Sequence, residues 1–422
     1  MCDKVIFNAD DFGISKGVNA AIYKAYHEGI LNSASLMVNQ KYAKEAIELH
    51  KNMPNLKLGL HINLTNEYPA AEKDKIPLLV DSNGKFKNGF LKLFLLSMFK
   101  PKEFKQQVKT ETEAQILKAL KMGVNPTHID SHRHVHMIPF VFRVFRELML
   151  QYNIKKTRVI NENIFMTLKT NKDKSYLFDG GFIKYFLLLF FYMINSYKSS
   201  TYFYTMLYTC KLSKDKFKEV HIPKGYENIE VMIHPSIPQI DEEFKEDIFD
   251  ENVVSDWREK ELETLLDKSV INNFVFDAEY PFWWGIYKKI ENWWFSFNQK
   301  IRFLLVGGFN TVFAYGVFAL LLFIGVPYLP ALVIQYIITV NVSVLTMRYY
   351  VFRSEGDFLT EYFKACSVYV VMFVFNSVFL SFLVEICKMS ELWGQALYLT
   401  VSTVLTYLFH KNFSFRRKIK EK

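Results

Sequence analysis

Carboxylate and imidazole side chains recur in four separate segments of this sequence, each beside a short apolar run. An acidic pair, a histidine with an asparagine, a histidine-rich run and a single histidine make up the set: Asp10, Asp11, His61, Asn63, His128, Asp130, His132, His134, His136 and His234. Two imidazoles and a carboxylate form a common ligand set for a divalent cation. These residue types therefore indicate a metal site able to activate water for hydrolysis.

Each motif alone has a simpler interpretation. An acidic pair after a strand is often a helix N-cap, and a histidine in an apolar strand, such as His61, is commonly a buried core residue. The run HIDSHRHVH (residues 128–136) is harder to explain in this way. Alternate imidazoles on one strand face would be costly to bury without a polar task. The combination favours metal binding.

Strand-like and helix-like patterns alternate along the soluble part of the chain. The predicted strands are residues 4–8, 33–39, 56–65, 127–131 and 229–235, and the predicted helices are residues 15–29, 41–52, 102–120 and 139–153. Such alternation predicts a parallel sheet or barrel with its active residues at the C-terminal ends of the strands. We therefore expect the four polar segments to meet at one rim.

Four motifs resemble the YdjC/ChbG family of carbohydrate deacetylases in order and spacing: NADDFGISKGVNAAI, GLHINLT, THIDSHRHVHMIP and VMIHPS. The resemblance covers about residues 1–275 and implies a (βα)-barrel-like α/β fold with metal-dependent removal of N-acetyl groups from sugars. By position, it implies that Asp11, His61 and His132 bind the metal, that Asp10 is the general base and that His234 is the general acid. Arg133 stands where the family more often has histidine, at a position not expected to bind metal.

A second group of residues is expected to contact the substrate: Asn63, Asp130, His134 and Arg258. Arg258 has two open interpretations, as an orienting partner of Asp10 or as half of a surface ion pair. The ligand set also leaves the divalent metal open. Magnesium and zinc are the main candidates, although two imidazoles and one carboxylate suit zinc, manganese, cobalt or nickel better than magnesium.

The last third of the chain is mostly apolar, with four runs long enough, or nearly so, to cross a bilayer as helices: about residues 301–324, 329–352, 362–387 and 393–409. The segments RFLLVGGFNTVFAYGVFALLL and RYYVFR resemble the GtrA-like family of four-helix membrane proteins. That resemblance implies handling of polyprenyl-phosphate-linked sugars. We predict a deacetylase-like domain over residues 1–280, a juxtamembrane linker over 281–300 and an all-α four-helix transmembrane domain over 301–422.

Charge predicts the orientation. The chain carries a net charge of +9, and its basic residues cluster beside the apolar runs, which favours an anionic membrane surface over nucleic acid as partner. They lie before the first run, between the second and third, and after the fourth, so both termini and the soluble domain are expected in the cytosol at the plasma (inner) membrane. The four cysteines do not have the spacing of a metal site, and the N-terminal residues do not resemble a signal peptide. Both observations agree with a soluble domain in the cytosol.

Further apolar and polar positions leave alternatives open. The segments 91–99 and 182–194 are either lid helices packed on the barrel or amphipathic segments that enter the membrane surface. Four polar residues in the apolar runs either hold a headgroup or tie helices together: Asn310, Gln335, Asn341 and Asn376.

The combined prediction is an N-deacetylase of an acetylated amino sugar, acting in carbohydrate metabolism and polysaccharide biosynthesis, with a polyprenyl-phosphate-linked sugar as a candidate substrate. Its membrane domain would bind or translocate that lipid-linked sugar. The alternative is a flippase or transporter whose soluble domain only recognises sugar, and a metal phosphoesterase acting on the lipid carrier is a weaker one. Membrane lipid is the expected partner, nucleic acid is not, and the sequence leaves the oligomeric state open.

Overall fold

The computed structural model describes residues 4–171, 181–209, 211–242, 251–323, 326–354, 356–389 and 391–415. The chain forms two compact units, Met1–Trp283 and Trp284–Lys422. Cys2, Cys210 and the basic tail from residue 416 onward, which were used to predict the orientation, lie outside the described residues.

The first unit is built on a seven-stranded parallel sheet in the order β5-β4-β3-β2-β1-β8-β6. Its strands are β1 (Val5–Phe12), β2 (Ser33–Leu36), β3 (Lys57–Ile62), β4 (His128–Ser131), β5 (Lys156–Thr157), β6 (Thr201–Tyr204) and β8 (Asn228–Ile233). A separate parallel pair joins β7 (Val220–Pro223) to β9 (Phe274–Ala278). Because β5 and β6 form the two edges, the large sheet is an open, barrel-like structure, which confirms the predicted fold class.

Helices connect these strands. They are α1 (Lys16–Glu28), α2 (Ala43–His50), α3 (Phe90–Phe99), α4 (Pro101–Lys121), α5 (Pro139–Gln151), α6 (Ile164–Thr170), α7 (Gly181–Asn195), α8 (Pro238–Glu242) and α9 (Asp256–Leu266). In α1, Ser15 caps the first turn by accepting from the Val18 N–H, and Val18, Ile22 and Ala25 bury one face at helical spacing. Strands β1 and β2 are buried almost without interruption, as expected of a parallel sheet covered on both faces.

The second unit is helical. After α10 (Phe282–Ser296) come four longer helices, α11 (Gln299–Phe323), α12 (Tyr328–Thr346), α13 (Phe358–Ser381) and α14 (Glu391–Phe409), and the last three each run on into a wider π-helical turn. Four helices confirm the predicted all-α class. Most of the predicted linker, residues 281–300, is the helix α10.

Length and composition alone qualify one helix among the described residues, Gln299–Leu321, to cross a membrane. The four predicted spans therefore stay a prediction. Some of the polar residues tie helices together: the Asn310 Oδ1 accepts from the Thr346 hydroxyl at 3.0 Å, and the Tyr362 hydroxyl donates to Asn341 Oδ1 at 2.7 Å. Gln335 bonds within its own helix, to Thr339, and the side chain of Asn376 is outside the described part of the chain.

Candidate active site and metal centre

Asp10 and Asp11 are neighbours in β1, yet both carboxylates line the same cavity. Successive side chains of a regular strand point to opposite faces. Here the pairing of β1 with β2 shifts register between Ala9 and Phe12, and Asp11 has a φ of 65°, in the left-handed region. This bulge turns both acids toward one side, and such local strain is typical of functional sites.

Asp11, His61 and His132 converge although they come from three separate segments. The Asp11 Oδ1 lies 3.0 Å from His132 Nδ1 and 3.4 Å from His61 Nε2, and one potential ligand atom from each residue falls within 4.8 Å of the others. Asn66 contacts the other ring nitrogen of His132 at 3.2 Å, which leaves Nδ1 turned toward Asp11. All three side chains are buried, so they form a compact set of donor atoms.

Asp130 orients His61. Residues His61 and Asp130 are register partners on β3 and β4, and the Asp130 Oδ1 lies 2.7 Å from His61 Nδ1. A carboxylate on one ring nitrogen fixes the imidazole so that the other nitrogen can face a metal. Burial lowers the pKa of His61, but the carboxylates of Asp130 and Asp10 outweigh it and raise the pKa to about 10. A cation at this place would therefore displace a proton from His61.

The donor set fits a divalent cation. Burial favours the neutral form of Asp11, but His132 and Arg258 hold the pKa of its carboxyl well below the usual range, so the ligand is an anion. A second cluster, Asp10, His61 and Asp130, also has converging donor atoms. Its two carboxylates are already bound by the guanidinium of Arg158, which a cation would have to displace. The cluster that contains Asp11 is therefore the better metal site.

Arg158 holds Asp10 through two parallel hydrogen bonds, each 2.6 Å long. The same buried guanidinium contacts Asp130 at 2.8 Å and Glu230 at 2.6 Å. Sequence analysis missed Arg158. Its position directly after β5 was the available signal, but a strand of two residues gives no recognisable pattern.

His234 lies on the other side of Asp10, with its Nε2 3.9 Å from Asp10 Oδ2. The buried carboxylate of Glu261 accepts from the His234 backbone N–H and lies 3.7 Å from its Nδ1. Glu261 comes from α9 and was also missed, because a glutamate in a helical pattern carries no local signal of a partner in another segment. The structure thus brings together Asp10, Asp11, His61, His132 and His234.

Of the four residues predicted to contact the substrate, two lie outside the cavity lining and two belong to it. Asn63 lies outside the cavity lining, and its amide shapes the following turn by bonding Thr65 and Asn66. Asp130 is also outside the lining, where it supports His61. Arg258 is buried at the cavity and donates to Asp11 Oδ2 at 2.8 Å, so it orients Asp11 rather than Asp10 and is not a surface residue.

His134 does line the cavity, but the histidine run is not a strand face. Strand β4 ends at Ser131, and residues His132–Met137 form a tight turn in which Arg133 and His134 both have positive φ. Burial, with Lys184 and Arg158, holds the pKa of His134 well below its usual value, so a neutral ring faces the cavity. His136 is structural: its ring nitrogens contact the Ser131 hydroxyl and the Arg158 carbonyl.

The cavity has a volume of about 610 Å³ and two kinds of wall. The buried acids and imidazoles described above form its interior. Apolar side chains from α3 and α7 form its outer edge: Phe90, Leu91, Ile183 and Leu187. The site can therefore receive a polar group, and the exposed side chains of Leu91 and Ile183 make part of its opening apolar.

Each of the two parts of this chain matches a known protein family. Residues 4–274 match the family described as YdjC-like protein, and residues 302–415 match the GtrA/DPMS transmembrane domain. A carbohydrate deacetylase from Thermoanaerobacter pseudethanolicus is 38% identical over 192 residues, which cover 44% of this chain and 73% of that protein. Another from Brevibacillus brevis is 38% identical over 151 residues, or 36% and 57% of the two chains.

A solved structure from Enterococcus faecalis V583, described as that of a cellobiose-phosphate cleavage protein, is 25% identical, with a TM-score of 0.47 over 64% of this chain and 93% of that one. The YdjC-like match covers more than half of the sequence, and the residues that follow it, 302–415, match a transmembrane domain. The chain therefore belongs to the YdjC-like family and carries a GtrA-like membrane domain at its C-terminal side.

Proposed function

We propose that this protein is a metal-dependent carbohydrate deacetylase that hydrolyses the N-acetyl group of an amino sugar. The observation that carries the proposal is the convergence of Asp11, His61 and His132 on one cavity, with Asp10 and His234 beside them. The deacetylases that this chain resembles support the choice of an acetylated sugar as substrate.

Asp11, His61 and His132 would hold the cation, which supplies Lewis-acid chemistry by polarising the amide carbonyl and acidifying water. Asp10 takes a proton from the attacking water, whose oxygen bonds to the acetyl carbon. His234, when protonated, gives its proton to the departing nitrogen as the C–N bond breaks, so that acetate and a free amine leave. The position of Asp10 between His61 and His234, 3.9 Å from a ring nitrogen of each, suits this division of roles.

Each acid at the site has its own arginine. Arg158 binds both oxygens of Asp10, and Arg258 donates to the oxygen of Asp11 that points away from His132. Because the guanidinium presents donors in a rigid planar fork, it fixes the direction of the carboxylate it binds. The two neighbouring aspartates are thereby separated into a metal ligand and a proton acceptor.

The membrane domain favours a lipid-linked sugar, such as one on polyprenyl phosphate, deacetylated at the cytosolic face. Tethering an enzyme to the bilayer raises its effective concentration near a lipid-borne substrate. The distribution of basic residues around the apolar runs supports the cytosolic orientation.

The test uses the full-length protein in detergent with short N-acetylglucosamine oligomers and with a lipid-linked analogue. We expect mass spectrometry to detect loss of one acetyl group and release of acetate. A chelator should stop the reaction, and added zinc, manganese or magnesium should restore it. Turnover that is insensitive to chelator, or no turnover with any acetylated sugar, would contradict the proposal.

A second candidate function, transport of the sugar lipid, is supported by a groove of about 540 Å³ in the second unit. Hydroxyl and amide side chains line part of it, among them Asn310, Thr311, Thr339 and Ser343. Asp10→Asn distinguishes the two functions, because it should abolish deacetylation while leaving sugar binding and vesicle transport intact.

A further inference from the structure

Two short helices of the first unit expose apolar side chains at helical spacing. On α3 these are Leu91, Leu95, Met98 and Phe99, and on α7 they are Ile183, Phe186 and Met193. The exposed fraction reaches 64% at Leu91, 75% at Ile183 and 78% at Phe99. Scattered single exposures are normal in proteins, whereas a contiguous apolar stripe indicates an interaction surface.

The opposite faces of the same helices are fixed to the protein. Helix α3 buries Leu93 and Ser97, and α7 buries Tyr185, Leu188, Phe191 and Ile194. The rings of Phe90 and Phe94 on α3 pack against Phe191 on α7, with centroid distances of 6.3 and 5.1 Å. The two helices therefore form one support, and the stripes are its outer surface.

This surface borders the candidate active site. Phe90 and Leu91 from α3, and Ile183, Lys184 and Leu187 from α7, line the same cavity as the metal-binding cluster. Whatever covers the exposed stripes would therefore lie at the entrance through which substrate reaches Asp10 and Asp11.

Charge along these two segments is mostly positive. Residues 85–102 contain five lysines and residues 181–198 contain two, and neither segment contains an acidic residue. Two of these lysines have acidic partners just outside the segments, Lys85 with Glu67 and Lys100 with Glu103, so the excess of positive charge comes from the other five. An apolar helix face flanked by lysine is the pattern of a segment that lies in the interface of an anionic bilayer. Because the same chain carries a GtrA-like transmembrane domain, the first unit is always tethered to a bilayer.

We propose that these stripes, Leu91, Leu95, Met98, Phe99, Ile183, Phe186 and Met193, form an apolar rim that inserts into the surface of an anionic membrane around the active-site entrance. The two interpretations of the apolar segments are then both correct, since one face packs on the protein and the other enters lipid. Resting on the proposed deacetylase function, the inference defines the substrate class as an amphiphile, with its sugar in the cavity and its hydrocarbon anchor in the bilayer.

The test places a fluorophore on the rim of the full-length protein. Cys2, Cys210, Cys366 and Cys387 are replaced by alanine, Leu95→Cys is labelled with a polarity-sensitive dye, and the protein is reconstituted into vesicles of phosphatidylethanolamine and phosphatidylglycerol. Leu95 is chosen because it is exposed but does not line the cavity. In vesicles whose lipids are brominated on their acyl chains, the fluorescence of this label should fall to about half of its value in vesicles without bromine or lower. The reason is that an interfacial helix face lies at the headgroup–acyl boundary, within reach of the bromine atoms.

Leu150→Cys is the matched control. It is also an exposed leucine, at 80%, but it lies at the end of α5, which leads into the start of β5 and hence to the opposite end of the sheet from the site. We expect its label to stay unquenched. Equal quenching at both positions would overturn the proposal, and so would blue-shifted emission at Leu95 without bromine quenching, because protein rather than lipid would then cover the rim.

An activity measurement adds the substrate class. The double variant L95E/M98E should lower kcat/KM for a lipid-linked acetylated sugar about tenfold or more, because charged side chains replace two apolar ones that enter hydrocarbon. Its kcat/KM for a soluble N-acetylglucosamine oligomer should stay unchanged. An equal loss of kcat/KM on both substrates would contradict the proposal that the apolar rim enters the membrane. Absence of any deacetylation in the unaltered protein would instead contradict the proposed function, while the quenching result would still stand.

Discussion

Arg158 donates a hydrogen bond to each carboxylate oxygen of Asp10, from Nη1 to Oδ2 and from Nη2 to Oδ1, and each bond is 2.6 Å long. The residue proposed to accept the proton is therefore held by a fully buried guanidinium that also bonds Asp130 and Glu230. Because Asp130 in turn orients His61, one arginine connects the proposed general base to the support of the metal site.

Replacing Arg158 by lysine should impair turnover far more than substrate binding. Lysine keeps the positive charge but cannot form the planar pair of hydrogen bonds, so Asp10 loses its fixed direction. We expect kcat to fall about 100-fold, the scale associated with a misplaced reacting group, with little change in KM. Steady-state assays of acetate release measure both constants.

The matched control is Arg143→Lys, on the outer helix α5 and partly exposed. It should retain nearly full activity. If Arg158→Lys retained a normal kcat and pH profile, the guanidinium would have no role in positioning Asp10.

Asp130→Asn should weaken metal binding without removing a ligand. Loss of a carboxylate that fixes a ligating imidazole typically costs about 10- to 100-fold in metal affinity. Competition with a fluorescent chelator, using zinc or manganese, measures the change independently of activity. Glu230→Gln is the control, because Glu230 also bonds Arg158 but does not touch His61. Equal losses in the two variants would show that the effect acts through Arg158 instead.

The location of the site could be predicted from sequence because the rule for parallel sheets is simple. Asp11 and His61 lie at or near the ends of strands, and His132 follows β4 directly, so their meeting follows from the order of elements alone. The role of Asp130 could not be predicted in this way. It depends on the register of β3 with β4, which sets His61 opposite Asp130 and which no local pattern specifies.

Backbone conformation accounts for the other differences. A strand pattern assumes alternating faces, and neither the bulge at Asp10 and Asp11 nor the positive φ at Arg133 and His134 leaves a mark in residue type. Glutamate partners such as Glu261 come from helices whose pattern predicts only an amphipathic face. Sequence thus indicated which residues could bind metal and offered Arg258 as an orienting residue, although for Asp10 rather than Asp11. It did not indicate that Arg158 and Glu261 support the site.

Glu162 predicts a pH dependence of stability. Burial raises its pKa to about 7, and hydrogen bonds from Thr167, Met206 and Leu207 only partly counter this. A raised pKa in the folded protein means that the protonated carboxyl stabilises the fold below about pH 4.5, and that this stabilisation is lost as the pH rises through 7. The difference between the ordinary pKa of 4.5 and the value of about 7 in the folded protein corresponds to about 3 kcal/mol in the free energy of unfolding.

Glu162→Gln should remove that dependence, because the neutral amide can accept from the Met206 N–H and donate to the Thr167 hydroxyl. Scanning calorimetry of the full chain in detergent between pH 4.5 and 7.5 should show a smaller decline of the melting temperature than in the unaltered protein. Glu227→Gln, at an exposed glutamate, should leave the decline unchanged. An unaltered decline in Glu162→Gln would assign the effect to other groups.

In the second unit, Arg348 and Glu361 form a buried ion pair between the turn that ends α12 and the start of α13. Arg348 is only 2% exposed and also donates to the Gly356 carbonyl at 2.8 Å. Glu361→Gln should destabilise this unit by about 3–5 kcal/mol, because it leaves a buried charge without its partner. The double variant R348M/E361L removes both charges and should recover part of that loss.

Arg353→Met tests whether burial of the ion pair is the reason for the large loss of stability expected of Glu361→Gln. The side chain of Arg353 is 61% exposed and lies 3.9 Å from Glu291, so this pair should contribute at most about 1 kcal/mol. Thermal aggregation in detergent, followed by size-exclusion chromatography, ranks the variants. The expected order of midpoints places Arg353→Met near the unaltered protein, the double variant below it and Glu361→Gln lowest. A Glu361→Gln midpoint as high as that of Arg353→Met would mean that water reaches Arg348 and that the pair is not a buried one.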